Sequence, residues 1–163
     1  MIMPPRLRKA ILTLHVTTSV GWLGAVLAYL ALDVTTVASD DVTAVRGAYI
    51  AMGVIVRGAI VPLALAAVLI GIVNALGTTW GLVRHYWVVA KLVLTVIAAL
   101  VLLSEARTVA YLADLAVLTP DPRTLPSTLP HSVGGLLVLL TTVVLSVYKP
   151  RGLLNRPTSV ISR

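Results

Sequence analysis

Charged and titratable side chains are costly inside hydrocarbon. This chain nevertheless keeps three of them within long apolar stretches: His15 in "LTLHVTTSVGWLG", Arg57 in "GVIVRGAIV" and Lys91 in "RHYWVVAKLVL". An imidazole can ligate a metal or bond a neighbouring hydroxyl. A lysine amine ligates only when neutral, and otherwise pairs with an anion or reaches for the membrane interface. An arginine fork fits a carboxylate. Two further histidines, His85 and His131, fall at the edges of apolar stretches and read as interfacial.

Helical spacing groups these residues. Ser19 and Trp22 follow His15 at four and seven positions, on one face, and Gly21, Gly24 and Ala25 would let a helix or a flat ligand come close. His15 is then either a metal ligand or a structural histidine bonded to a serine or a backbone carbonyl. Arg84, Trp87, Lys91 and Thr95 form a second stripe. Lys91 and His15 count to similar depth from one membrane face, and Lys91 is also near enough to that face to snorkel. Arg57 counts to roughly 13 Å below the opposite face at about 1.5 Å per residue. It is either a clamp for an anionic ligand group or the partner of an acid, Asp33 being the nearest by depth.

The elements that must hold these groups are transmembrane helices. Of 163 residues, 58% are hydrophobic and 12% charged, and the mean hydropathy is +0.99. Four stretches, about 11–32, 48–76, 86–103 and 133–147, can each cross a hydrocarbon core of roughly 30 Å. The third is expected to continue as helix through "SEARTVAYLADLAVL". The first is led by "PRLRKA" but is too long for a signal peptide, so it is read as retained. The fold expected is all-α: a four-helix transmembrane bundle, up-down-up-down, over residues 1–150, followed by a short tail over 151–163. Charge placement orients it. Arg6, Arg8, Lys9, Arg84, Lys149, Arg151, Arg156 and Arg163 lie in the N-terminal segment, the second connection and the tail, which hold no acid. All six acids fall in or beside the first and third connections. The positive-inside rule then puts both termini in the cytoplasm. The net charge of +7 is thus topology and not a nucleic-acid footprint. The third connection, "TPDPRTLPSTLPH", holds four prolines, cannot be a regular helix, and is expected to lie across the outer mouth.

"LHVTTSVGWLGAVLAYLAL", "VVAKLVL" and "LSVYKPRG" resemble motifs of a bacterial four-helix membrane superfamily. It includes copper-resistance D-type proteins, oxygen-independent protoporphyrinogen oxidase-type proteins and an uncharacterised membrane family, the last being nearest. The resemblance implies a multi-pass protein of the bacterial inner membrane and, from the oxidase type, b-type haem. Carried over, His15 would be the axial ligand and Lys91 a second ligand or partner of the cofactor. In that reading Arg57 would offset propionate charge and Trp22 would flank the macrocycle. The absence of phenylalanine and the spacing of Arg84 depart from the oxidase type.

Several classes are disfavoured by the residues themselves. No cysteine is present, which excludes disulfides and thiolate sites and weakens a copper reading, since copper(I) prefers sulfur ligands. No nucleophile motif, phosphate loop or carboxylate metal cluster occurs. The absence of acids from the four apolar stretches argues against a proton-coupled pump. Two functions stay open: a haem-binding membrane protein with a redox or porphyrin-handling role, and a non-catalytic subunit that contacts another membrane protein or a second copy of itself within the lipid bilayer.

Overall fold

The computed structural model describes residues 3–77, Leu82 and 85–150. Arg84, Trp80 and the 151–163 tail lie outside the described residues. Five α-helices occur: α1 (Pro5–Ala38), α2 (Val42–Ile55), α3 (Val61–Leu76), α4 (Tyr86–Leu118) and α5 (Leu129–Tyr148). A π-helical turn, Val56–Ile60, joins α2 to α3 without a break. Four helical rods therefore result, each long and apolar enough to cross a membrane: Pro5–Ala38, Val42–Leu76, Tyr86–Leu118 and Leu129–Tyr148. No strand occurs among the described residues. The chain is a helical bundle with the character of an integral membrane protein.

Local chemistry sets the helix ends. Pro5 opens α1 and Pro130 falls in the first turn of α5, where proline's missing N–H costs nothing. The Asp41 carboxylate caps α2 by accepting from the Thr43 amide at 2.8 Å. The π turn has a cause in Pro62, which cannot donate to the carbonyl four residues back. The Val61 amide bonds the Val56 carbonyl instead, one residue further than α-helical spacing allows.

Within the bundle, α1 packs on α2, α3 and α5, and α4 packs on the same three. The buried core is built from Trp22, Val26 and Tyr29 of α1, Met52, Val56, Ile60 and Ala64 of the second rod, Val109 of α4 and Leu139 of α5. Large apolar side chains such as Val20, Leu69, Leu100 and Val147 point outward, each more than half exposed. An outward apolar face of this kind suits lipid and not water. Close helix approach depends on small residues. A Cβ added to Gly53 would stand 2.9 Å from Ala113 Cβ, so α2 and α4 touch there nearly backbone to backbone.

The rods differ in length, and this sets Arg57 against its neighbours. α5 has 20 residues, which matches a hydrocarbon core. α1 has 34 and α4 has 33, so both overhang it. The start of α5 meets α1 at Asp33 and α4 at Glu105; beyond that level α4 runs on to Leu118 and α1 only to Ala38. The second rod starts at Val42, six residues before the apolar stretch suggested. Gly53 faces Ala113, and early residues of α2 meet late residues of α4. Arg57, one turn past Gly53, therefore sits near the level where α5 begins, between Ala113 and Glu105, and its side chain is exposed.

The overhang is a small folded unit of its own. Val45, Tyr49, Leu112 and Ala116 form a second buried cluster with Leu125 against it. The Arg46 guanidinium donates to the carbonyls of Val117, Thr119 and Pro120 at 3.0–3.1 Å, satisfying the open end of α4 with positive charge. The Tyr49 hydroxyl reaches the Leu125 and Pro126 carbonyls at 3.3 Å. The proline-rich connection contains one 3-10 turn, Pro122–Thr124, and runs from α4 past α2 to α1. There Arg123 holds the Asp121 carboxyl down to about 2, through side-chain and backbone hydrogen bonds, and also donates to the Asp40 carbonyl at 3.1 Å.

Gly53→Val is expected to destabilise the protein by about 1–3 kcal/mol through overpacking against Ala113. Gly47→Ala, where a Cβ meets open space, should raise stability by up to about 1 kcal/mol. Thermal unfolding in detergent, followed by circular dichroism, compares the two.

Candidate functional site

At one end of the bundle, which we call the His15 end, polar groups from three helices gather. The His15 ring packs against the backbone of α3: a Cβ added to Gly71 would stand 2.9 Å from His15 Cε1 and 3.4 Å from Nδ1. Nδ1 is buried without a hydrogen-bond partner among the described residues. The Ala67 backbone lies within hydrogen-bonding reach of the ring, and Lys91 bears on it electrostatically. Lys91 Nζ itself donates to Ser146 Oγ of α5 at 2.7 Å, and Ser146 in turn donates to the Thr142 carbonyl at 2.7 Å. The partly buried ammonium is therefore tied to a neighbouring helix and does not extend freely to the interface.

The opposite end, the Asp33 end, holds a denser polar cluster. Asp33 is fully buried. Its Oδ2 accepts from Ser132 Oγ at 2.7 Å and from Thr128 Oγ1 at 3.0 Å, both at the start of α5. Thr128 has one proton, so the Tyr29 hydroxyl, 2.7 Å away, donates to Thr128. Asp33 Oδ1 is buried and has no hydrogen-bond partner among the described residues. Asp33 does not pair with Arg57, whose Nε donates to the Gly53 carbonyl at 3.2 Å. The ion pairs among the described residues are Arg123–Asp121 at 2.8 Å and His131–Glu105 at 3.7 Å.

A cavity of about 310 Å³ opens beside this cluster, between α1, the π turn, α4 and α5. Its walls are apolar: Trp22 and Val26 of α1, Val56 and Ile60 of the π turn, Ile97, Ala98 and Leu102 of α4, and Val138 and Leu139 of α5. Its polar groups lie at one end, and they are Tyr29, Glu105, Thr128, His131 and Ser132. Gly134 and Gly135 form part of the wall, and a Cβ at either meets nothing within 4 Å. Such a space, apolar with a few convergent polar groups, is what small-molecule sites look like.

The four residues singled out from the sequence fall in three places. His15 and Lys91 share the His15 end, as their matched depth suggested. Trp22 is buried and lines the cavity. Arg57 is exposed on the second rod, and none of the other three lies with it. A macrocycle ligated by His15 would need α1 and α3 to part, because Gly71 closes on the ring. No cluster of three or more metal-ligating His, Cys, Asp or Glu residues occurs among the described residues. The residues as placed do not form one haem cradle. The Asp33 cluster escaped the sequence reading. The one available signal was an aspartate in register with Tyr29 and Trp22 on α1, at four- and seven-residue intervals.

Thr128→Val keeps the side-chain shape and removes the hydroxyl that links Tyr29 to Asp33. It should cost about 1–3 kcal/mol, because buried polar groups lose a partner. Thr141→Val, at an exposed hydroxyl bonded only within its own helix, should stay within about 0.5 kcal/mol of wild type. Chemical unfolding in detergent distinguishes the two. The chain matches no known protein family, no curated protein and no solved structure.

Proposed function

We propose that this chain is a multi-pass membrane binding protein that takes a small, largely apolar molecule with one polar end into the cavity beside Asp33. The observation that carries this reading is the cavity's polarity: apolar walls of Trp22, Ile97, Ala98 and Leu139, with hydroxyls and one carboxylate confined to one end. In this reading the bundle is up-down-up-down, with both termini in the cytoplasm and the Asp33 end outside. The basic N-terminal segment and the acids near the Asp33 end support that orientation. In this reading the fold is a container.

The glycine wall provides the test. Gly135→Leu puts a side chain into the cavity from a position where a Cβ meets open space, so the fold should survive. Wild-type protein in nanodiscs should show a saturable rise in the emission of 1-aminoanthracene, an apolar fluorophore with one amino group. Gly135→Leu should lose that saturable component. An equal rise in both proteins would refute a site in this cavity.

A second reading, b-type haem held through His15 with Lys91 as its partner, draws on a separate observation. The buried Nδ1 of His15 has no hydrogen-bond partner among the described residues, and Lys91 bears on the same ring; the reading requires α1 and α3 to part at Gly71 to admit the macrocycle. Bound haem would supply one-electron chemistry, and this chain's part would be ligation by His15. Protein purified after expression with ample haem should then show a Soret band with sharpened bands on dithionite reduction. His15→Ala should abolish them and leave the helical signal intact. A flat spectrum in the wild type removes this reading and leaves the cavity reading untouched.

A further inference from the structure

We infer that the molecule taken by the cavity is a lipophilic organic cation, its ammonium group held at the Glu105 end. This rests on the cavity reading above and assigns the chemical class of its ligand.

The charge at the polar end is one-sided. Glu105 lines the cavity with its carboxylate about one quarter exposed. Asp33 stands directly behind Thr128 and Ser132, which line it, and one of its oxygens has no partner among the described residues. Both carboxylates bear electrostatically on the Tyr29 hydroxyl in the same wall. Among the described residues no lysine or arginine lines the cavity. Arg57 belongs to the π turn but is not among the lining residues, and its Nε donates to the Gly53 carbonyl. Among the described residues Glu105 makes one ion-pair contact, with His131 at 3.7 Å, and that pair is ionic only when the imidazole is protonated.

The wall below the carboxylates adds a second attraction for the same class. Trp22 and Tyr29 both line the cavity and are nearly fully buried. Aromatic faces attract ammonium groups, quaternary ones above all, and most strongly where water is absent. A neutral apolar molecule gains the walls alone. A carboxylate or phosphate is repelled by Asp33 and Glu105. A bare metal ion would leave most of the apolar cavity unused. An amine or quaternary ammonium on a compact apolar body uses the walls, the aromatic faces and the carboxylate together.

The test compares two molecules of one shape. Benzyltrimethylammonium carries the charge, and neopentylbenzene is its neutral isostere. Each is titrated calorimetrically into wild-type protein in nanodiscs, with empty nanodiscs subtracted. The cation should bind at least tenfold more tightly than the isostere. Glu105→Gln should remove most of that preference and leave neopentylbenzene binding unchanged. Gly135→Leu should abolish both. Equal affinity for the two molecules, unaltered by Glu105→Gln and lost in Gly135→Leu, would overturn the cation assignment and leave the cavity reading standing. Cation binding that survives Gly135→Leu would overturn it as well, by placing the charge contact outside the cavity. Failure of both molecules to bind the wild type would end both readings.

Discussion

A single buried carboxylate governs the Asp33 end of this protein. Asp33 has no exposure to solvent, so its charge must be met by protein hydrogen bonds or the fold would bear a heavy desolvation cost. Thr128 and Ser132 meet it at one oxygen, and in doing so they fix where α5 starts against α1. That start fixes the level of His131 opposite Glu105 and completes the polar end of the cavity. The same contacts set the short helix α5 against longer neighbours and so determine which parts of α1, α2 and α4 overhang it.

Hydrocarbon offers no partner to a polar group, so polar side chains in a bundle collect where several helices can satisfy one another. This chain does so at two levels. At the His15 end, Lys91 reaches Ser146 across a helix interface, and His15 rests on the bare backbone of Gly71. At the Asp33 end, two hydroxyls donate to one carboxylate and a third, that of Tyr29, backs one of them. Between the levels the interior is apolar, and the helices stay apart enough beside Trp22 to leave about 310 Å³. The glycines at 134 and 135 on α5 contribute to that space, since neither is held small by a neighbour.

Much of the architecture is legible from hydropathy. The centres of all four rods fall where the apolar stretches lie, and α4 continues past Leu103 as its sequence suggests. The helix ends are not legible in the same way. α2 and α4 run beyond the apolar stretches because the Arg46 clasp and the Tyr49–Leu112 cluster give those turns a core of their own. The proximity of His15 and Lys91 can be counted from helical rise. The Asp33 cluster cannot, because its partners lie 95 and 99 residues away in the chain. Thr128 lies in a proline-rich stretch that looks like mere linkage, and Ser132 directly follows it. An aspartate at the end of an apolar stretch reads as an exposed terminus until tertiary contact buries it.

The cavity beside Trp22 is the centre of this account, and the emission of that residue tests it most directly. In a chain carrying Trp80→Tyr and Trp87→Tyr, Trp22 is the remaining tryptophan. Two quenchers are compared in nanodiscs: lipid brominated on its acyl chains, and 4-bromobenzyl alcohol. Because Trp22 is only 3% exposed, brominated lipid should quench it weakly. The small molecule should quench it strongly and with saturation. Strong quenching by the lipid, or a linear and unsaturable response to the alcohol, would contradict a binding cavity at Trp22.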